Sequence, residues 1–237
     1  MGSMRLGRGT AVALAACALI AVFAAVAHAD RVQLSAADQA AAKRDVLRRA
    51  DLPTTVTWKA TSYSSKNSGA AASCSRLDGN GSSVVDTAQA GSQFTAPGIL
   101  VMNIVGLVAT SRMLDTTWKQ TFGNSPEACL RDSFAKGAGG RLKILSTTTL
   151  ALPRLAHYEN AYRMLFEMRV RGVTVYGACD MVAMGGERTM SLLIVGGLIG
   201  PAGERNSGEA AMTILDLRIA ETLAGRAFKQ GSSTLTA

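Results

Sequence analysis

The chain has 237 residues, of which 48% are hydrophobic, 18% charged and 5% aromatic. That composition excludes a disordered chain, which would be polar and highly charged, and the 24 glycines follow no collagen-like period of three. With 25 Lys plus Arg against 17 Asp plus Glu, the net charge is +8. The positive residues are scattered and no zinc-finger or RNA-binding string accompanies them, so nucleic acid is not an expected partner.

The first 29 residues read as an export signal. Arg5 and Arg8 form a positive head, Thr10 to Ala27 is a nearly unbroken apolar run, and Ala27-His28-Ala29 has the A-x-A form of a cleavage site before Asp30. An apolar run of this length also approaches a membrane crossing, so a retained anchor is the alternative. Leu14-Ala15-Ala16-Cys17 fits a lipobox as well, with Cys17 as the lipidated residue. Cys17 lies inside the apolar run, however, and Ala18 to Ala27 would be a poor polar tether. The expected product starts at Asp30, is secreted or resides in the extracytoplasmic envelope, and keeps no transmembrane segment.

Residues 30–50 form an N-terminal helix or arm. Ser35 is placed to cap it and Asp38 adds negative charge to its first turn. The helix is expected to reach about Ala50, before Pro53, with Lys43, Arg44, Arg48 and Arg49 as its basic residues and Val46 and Leu47 as a small apolar side. Val56, Trp58 and Ala60 alternate with polar neighbours and predict a strand. Residues 63–98 are rich in Ser, Gly, Ala, Asn and Asp and read as a long surface connection holding Cys74 and the Asp78-Gly79-Asn80-Gly81 turn. Asn80-Gly81-Ser82 matches a glycosylation sequon, for which a flexible loop is the plain reading.

Ile99 to Ala109 predicts a strong strand. Ser111 is the expected cap of a helix carrying Met113, Leu114, Trp118 and Phe122. Asn124-Ser125-Pro126-Glu127 resembles a fresh helix start, and Gly137-Ala138-Gly139-Gly140 its end.

Strand periodicity is clearest beyond this point. Leu142, Ile144, Thr148, Leu150 and Leu152 share one parity; Tyr162, Met164, Phe166, Met168 and Val170 share the next strand's apolar parity. Val173, Val175, Gly177, Cys179 and Met181, then Met190, Leu192 and Ile194, repeat it. Arg171-Gly172 and Gly185-Gly186-Glu187 are expected hairpin breaks, too short for parallel crossovers, so an antiparallel meander is predicted. The opposite parity mixes Arg163, Glu167, Arg169 and Asp180 with Leu165, Val182, Leu193 and Val195, which predicts a helix over part of that face. After Gly200-Pro201-Ala202-Gly203, Ser207 is the expected cap of a terminal helix. Met212, Leu215, Ile219 and Leu223 line one side of it. Residues 229–237 read as a tail. The fold class is α+β, one antiparallel sheet flanked by helices in a single domain.

In element order the chain resembles actinobacterial-type secreted proteins and lipoproteins of PsbP-like fold, including the LpqN-like group. The resemblance rests on Ala50-Asp51-Leu52-Pro53, the strand near Trp58, Cys74, the strand from Ile99, the helical region reaching Cys129, the run of antiparallel strands and the closing helix. It implies a PsbP-like sandwich over residues 51–228 and no common enzymatic chemistry. Cleavage would leave Cys74, Cys129 and Cys179, and spacing alone leaves their pairing open. The resemblance implies a Cys74–Cys129 disulfide, with Cys179 a buried free thiol on the apolar strand parity.

Chemical candidates are sparse. His157 is the one histidine after the leader, and its neighbours suggest a turn. Ser133-Phe134-Ala135-Lys136 matches a short S-x-x-K string without the S-D-N and K-T-G partners of acyltransferases. A hydrolase using Ser133 or Cys179 with His157 or Lys136 is therefore the alternative, not the leading function. No ligand spacing points to a metal, and the glycine-rich stretches form neither a dinucleotide fingerprint nor a Walker motif, so no cofactor is expected. Met164, Phe166 and Met168 fit a sheet core better than the border of an apolar cavity. Arg163, Arg169 and Arg171 are candidate anion-facing residues, with a solvated basic face as the plain reading. The leading expectation is a secreted, non-enzymatic binding domain for a cell-envelope protein, lipid or hydrophobic small molecule. A structural envelope protein is the third reading.

Overall fold

The computed structural model describes residues 31–61, 84–122, 142–170, 173–200 and 205–228. The leader with Cys17, the loop with Cys74 and Asn80, the segment with Cys129, Ser133 and Lys136, the Arg171-Gly172 and Pro201-Ala202-Gly203 breaks and the 229–237 tail lie outside them. In chain order the described elements are β1 (Arg31–Val32), α1 (Ala36–Asp45), a single 3-10 turn (Arg49–Asp51), β2 (Lys59–Thr61), β3 (Val85–Ala96), β4 (Ile99–Val108), α2 (Ser111–Phe122), β5 (Leu142–Thr149), β6 (Tyr158–Val170), β7 (Val173–Gly186), β8 (Thr189–Gly200) and α3 (Arg205–Ala227).

Among the described residues these strands make one sheet, ordered β1-β3-β4-β8-β7-β6-β5, with β2 also on β3. Every pairing is antiparallel except the two-residue β1, which runs parallel to β3. The predicted meander is present as β5 to β8. The α+β class follows from this sheet and its three helices.

Side chains alternate across the sheet, so the pairing defines two faces. On one face Val101 of β4, Leu193 and Val195 of β8, Ala178 and Val182 of β7 and Ala161 of β6 form a buried cluster with Met212, Ile219, Ala220 and Leu223 of α3. The apolar stripe predicted for the terminal helix is the stripe that packs. On the same face α1 lies over β3 and β4, with Ala42 against Ala88, Val105 and Leu107. On the other face Met102, Ile104, Met164, Phe166, Met168, Cys179, Met181 and Ile194 are buried. At one end of that face α2 contributes Leu114 and Trp118, against Val108, Ala183 and Met190.

Several local expectations change. Residues 85–96, read as surface connection, are the twelve-residue strand β3. Its Asp-Thr-Ala-Gln-Ala-Gly-Ser-Gln segment has little intrinsic strand preference. It becomes a strand through its full-length ladder with β4, and its small residues let α1 come close. Pro97-Gly98 closes that hairpin, Gly98 supplying the positive φ of +77° that a second turn position demands.

A bulge between Ile144 and Ser146 breaks the parity of β5. Leu142 and Ile144 pair with Met168 and Phe166, as the alternation predicts. Thr148 instead pairs with Arg163, so it shares the α3 face, and the strand ends at Thr149.

Helix ends also move. Ser35 caps α1 as expected, its Oγ accepting from the Asp38 N–H at 3.4 Å. The helix stops at Asp45 and not near Ala50, because Leu47 is drawn into the core and its N–H donates to Asn103 Oδ1 at 3.0 Å. Thr110, and not Ser111, caps α2, its Oγ1 accepting from Met113 N–H at 3.2 Å. The terminal helix already includes Arg205, so Ser207 lies within it. The strand expected at Trp58 is reduced to Lys59–Thr61, while Trp58 itself is buried and donates its indole N–H to Pro53 O at 3.0 Å.

Candidate functional site: a charge cluster beneath α3

Arg163 of β6 and Asp180 of β7 are direct cross-strand partners on the face covered by α3. Their neighbours along that face are apolar: Ala161 and Leu165 on one strand, Ala178 and Val182 on the other. An isolated charge there would face a large desolvation cost, so the two charges need each other. Arg163 Nε donates to Asp180 Oδ1 at 2.7 Å, and its Nη2 donates to Asp180 Oδ2, a two-pronged fork. The remaining arm reaches the helix: Arg163 Nη1 donates to the carbonyl of Glu209 at 3.1 Å.

α3 adds a second acid. Asp216 lies on the packed side of the helix, in the row that also holds Met212, Ile219 and Leu223, and is 0% exposed. Its Oδ2 is 3.6 Å from Arg163 Nη2, beyond good hydrogen-bond range. As a carboxylate it therefore has no donor among the described residues, and both its oxygens are enclosed. Protonated, it can donate to Asp180. Burial first, then the hydrogen bond and charge of Asp180, push the Asp216 carboxyl well above the usual carboxylate range, against the pull of Arg163. For Arg163, burial works against the charge, but the hydrogen bond and charge of Asp180, with Asp216 and Glu209, outweigh it and hold the guanidinium protonated.

This arrangement corrects the anion-facing patch. Arg163 is 6% exposed and saturated by Asp180 and the Glu209 carbonyl, so it does not face an external anion. Arg169 is exposed on β6 opposite Thr174, and Arg171 lies outside the described residues. Arg163 and Arg169 do not share one exposed surface.

The other candidates also separate. His157 is exposed in the turn before β6, its ring edge-on to Tyr158 at 4.5 Å. Cys179 is fully buried on the opposite sheet face, between Met164 and Gly196 on the adjoining strands. Met164, Phe166 and Met168 are core residues there, and Phe166 lies flat over its cross-strand partner Gly177, where an added Cβ would sit 2.3 Å from the ring. Among the described residues no group of three His, Cys, Asp or Glu is placed to hold a metal ion, and no helix is long and apolar enough to cross a membrane.

Asp216 is the residue that sequence reasoning missed. Its signal was present: an acid four residues after Met212 and seven before Leu223 falls inside the apolar stripe. Asp180 carried a similar signal, with Ala178 and Val182 two residues away on either side. A second acid, the half-buried Asp86 on β3, is pushed up to about 6 by burial, and its Oδ1 has no hydrogen-bond partner among the described residues.

Comparison with known proteins returned no relatives: no family model matches the chain, and no curated protein does.

Proposed function

We propose that the chain is an exported, non-enzymatic binding domain of the cell envelope, built on the PsbP-like plan. Its ligand is an envelope lipid, another hydrophobic small molecule or a partner protein. The observation that carries this reading is the use the fold makes of its polar chemistry. Arg163, Asp180 and Asp216 fasten a helix to a sheet, and Cys179, Met164 and Phe166 fill the opposite layer. These described polar and thiol groups are committed to architecture. The apolar leader and A-x-A site support the address, and the sheet-and-helix order supports the PsbP-like plan.

The test is to express the full chain in a bacterium with an intact export pathway, sequence the N-terminus of the product, and examine it by native mass spectrometry for retained lipid or protein. A product beginning at Asp30, outside the cytoplasm, with a reproducible co-purifying envelope component is expected. Retention of Met1–Ala29 on cytosolic protein, or specific turnover labelling Ser133 or Cys179, would overturn the reading.

A further inference from the structure

The Arg163–Asp180–Asp216 cluster contains one cation and two acids in a buried seam. Arg163 and Asp180 both belong to the sheet, and their fork does not need the helix. Asp216 belongs to α3 and meets the sheet only when the helix is seated. If both carboxylates were ionised, the seam would carry one uncompensated negative charge. If one proton is held between them, the seam is neutral and Asp216 gains the hydrogen bond that it otherwise lacks.

Among the described side chains the surroundings offer no other cation to balance the two acids. From β6 the group facing Asp216 is Arg163; from β7 it is Asp180; from α3 itself, Glu209 presents its carbonyl and its charge to Arg163. β8, under the helix, has no charged residue from Thr189 to Gly200. From α1, Asp45 is coupled to Arg44, Arg226 and Arg48 at the far end of α3. Arg226 there also donates to Val46 O at 2.7 Å and pairs with Asp51.

We propose that Asp216 and Asp180 share one proton across the seam between α3 and the sheet, and that losing this proton as pH rises releases α3 while the sheet stays folded. The seam is thus a pH-operated latch. The sign follows from linkage. The seated helix holds a proton that a lifted helix, with Asp216 in water, gives up, so rising pH favours lifting. Below the ordinary aspartate range both states are protonated and the latch is fully engaged. Through the interval up to the native titration point, the equilibrium constant for lifting rises about tenfold per pH unit.

The full chain labelled with carbon-13 at the aspartate carboxyls tests this by NMR. One carboxyl besides Asp86 is expected to keep its protonated shift well above the ordinary aspartate range, and to vanish in Asp216→Asn. Amide exchange, corrected for its intrinsic base catalysis, should show α3 losing protection with rising pH while β7 keeps its own. Asp216→Asn donates to Asp180 without needing a proton, so α3 protection in that variant should be flat with pH. Asp180→Asn removes the neighbouring charge and should move the Asp216 signal to lower pH. Three results would each overturn the proposal: no aspartate besides Asp86 titrating well above the ordinary aspartate range, an Asp216 signal unmoved in Asp180→Asn, or α3 protection as pH-dependent in Asp216→Asn as in the parent.

Discussion

Replacing Arg163 with Met keeps most of the apolar stem and deletes the charge. Asp180, 1% exposed, then loses both guanidinium hydrogen bonds and is left as a buried carboxylate without its cation. Breaking a buried pair from one side costs about 3–5 kcal/mol, mostly the penalty of the stranded charge. For a domain of this size each kcal/mol lowers Tm by roughly 2–4 °C, so a fall of about 6–20 °C is expected at pH 7. Denaturant unfolding followed by circular dichroism measures the loss, and pH separates charge from packing. A stranded buried charge, unlike lost packing, is relieved when acid neutralises it. The deficit is therefore expected to shrink as pH falls, by no more than about 1.4 kcal/mol per pH unit. The double variant Arg163→Met/Asp180→Leu removes the stranded charge and should recover at least half of the loss, since apolar replacements of buried pairs are often neutral or better. A deficit equal at pH 4.5 and pH 7, or below about 1 kcal/mol at pH 7, would refute the argument that a desolvated charge dominates this seam.

Gly208→Ala reverses the usual helix rule. Alanine is normally favoured over glycine by about 1 kcal/mol, but here the new Cβ would sit 2.4 Å from the Ile199 carbonyl, and a net loss of about 1–3 kcal/mol is expected in urea unfolding; a gain would show that α3 does not lie this close to β8. Asp86→Asn should remove a pH slope. The native carboxyl is raised to about 6 by burial, so its stabilising contribution is full below the ordinary aspartate range and lost as pH rises through about 6. The variant should be more stable at pH 7 by on the order of 1 kcal/mol, allowing for solvent screening at this half-buried site, and unfolding midpoints from pH 4 to 7 measure it. Asn103→Ala strands the Leu47 N–H and removes the amide's bonds to Ser191 Oγ and Leu192 O, costing roughly 1–3 kcal/mol and accelerating exchange of the Leu47 amide before that of β4.

How far these features could be read in advance depends on what each segment carries in its own side chains. β6, β7 and β8 alternate strongly, and their parity foretold both the buried Met164–Phe166–Met168 row and a helix on the other face. β3 could not be read this way. Its Ala, Ser, Gly and Gln residues are strand-forming only because β4 offers a complete ladder, which is tertiary information. β5 shows the complementary failure: Leu142 and Ile144 are placed correctly, but one bulge turns Thr148 to the other face, and no alternation rule locates a bulge. The charge cluster was half legible. Arg163 and Asp180 shared a parity, yet whether that face was wet depended on α3. Asp216, the acid that decides the question, sits 36 residues beyond Asp180 in the chain.

The position of α3 shows why a fold would keep an expensive buried acid at all. The apolar contacts of Met212, Ile219, Ala220 and Leu223 give the helix area but little register, because aliphatic side chains repack at modest cost after a shift. Polar and steric contacts are less forgiving. Gly208 fits against the Ile199 carbonyl at one end, Asp216 meets Arg163 and Asp180 near the middle, and Arg226 reaches Val46 and Asp51 at the other end. The outer two contacts are separated by about 27 Å of helix at 1.5 Å per residue. A slip of one turn would bring Met212 or Ala220 over the fork, bury Asp216 against aliphatic neighbours and carry a side chain into the Ile199 carbonyl. Asp216 therefore costs stability in the seated helix but penalises the shifted ones more. On this view Asp216→Leu, unlike Asp216→Asn, should leave α3 well populated but less uniquely placed, visible as broadened or doubled amide signals from residues 212–223 while those of β6 and β7 stay single. Sharp single signals throughout α3 in that variant would mean that the glycine contact and Arg226 set the register without the acid.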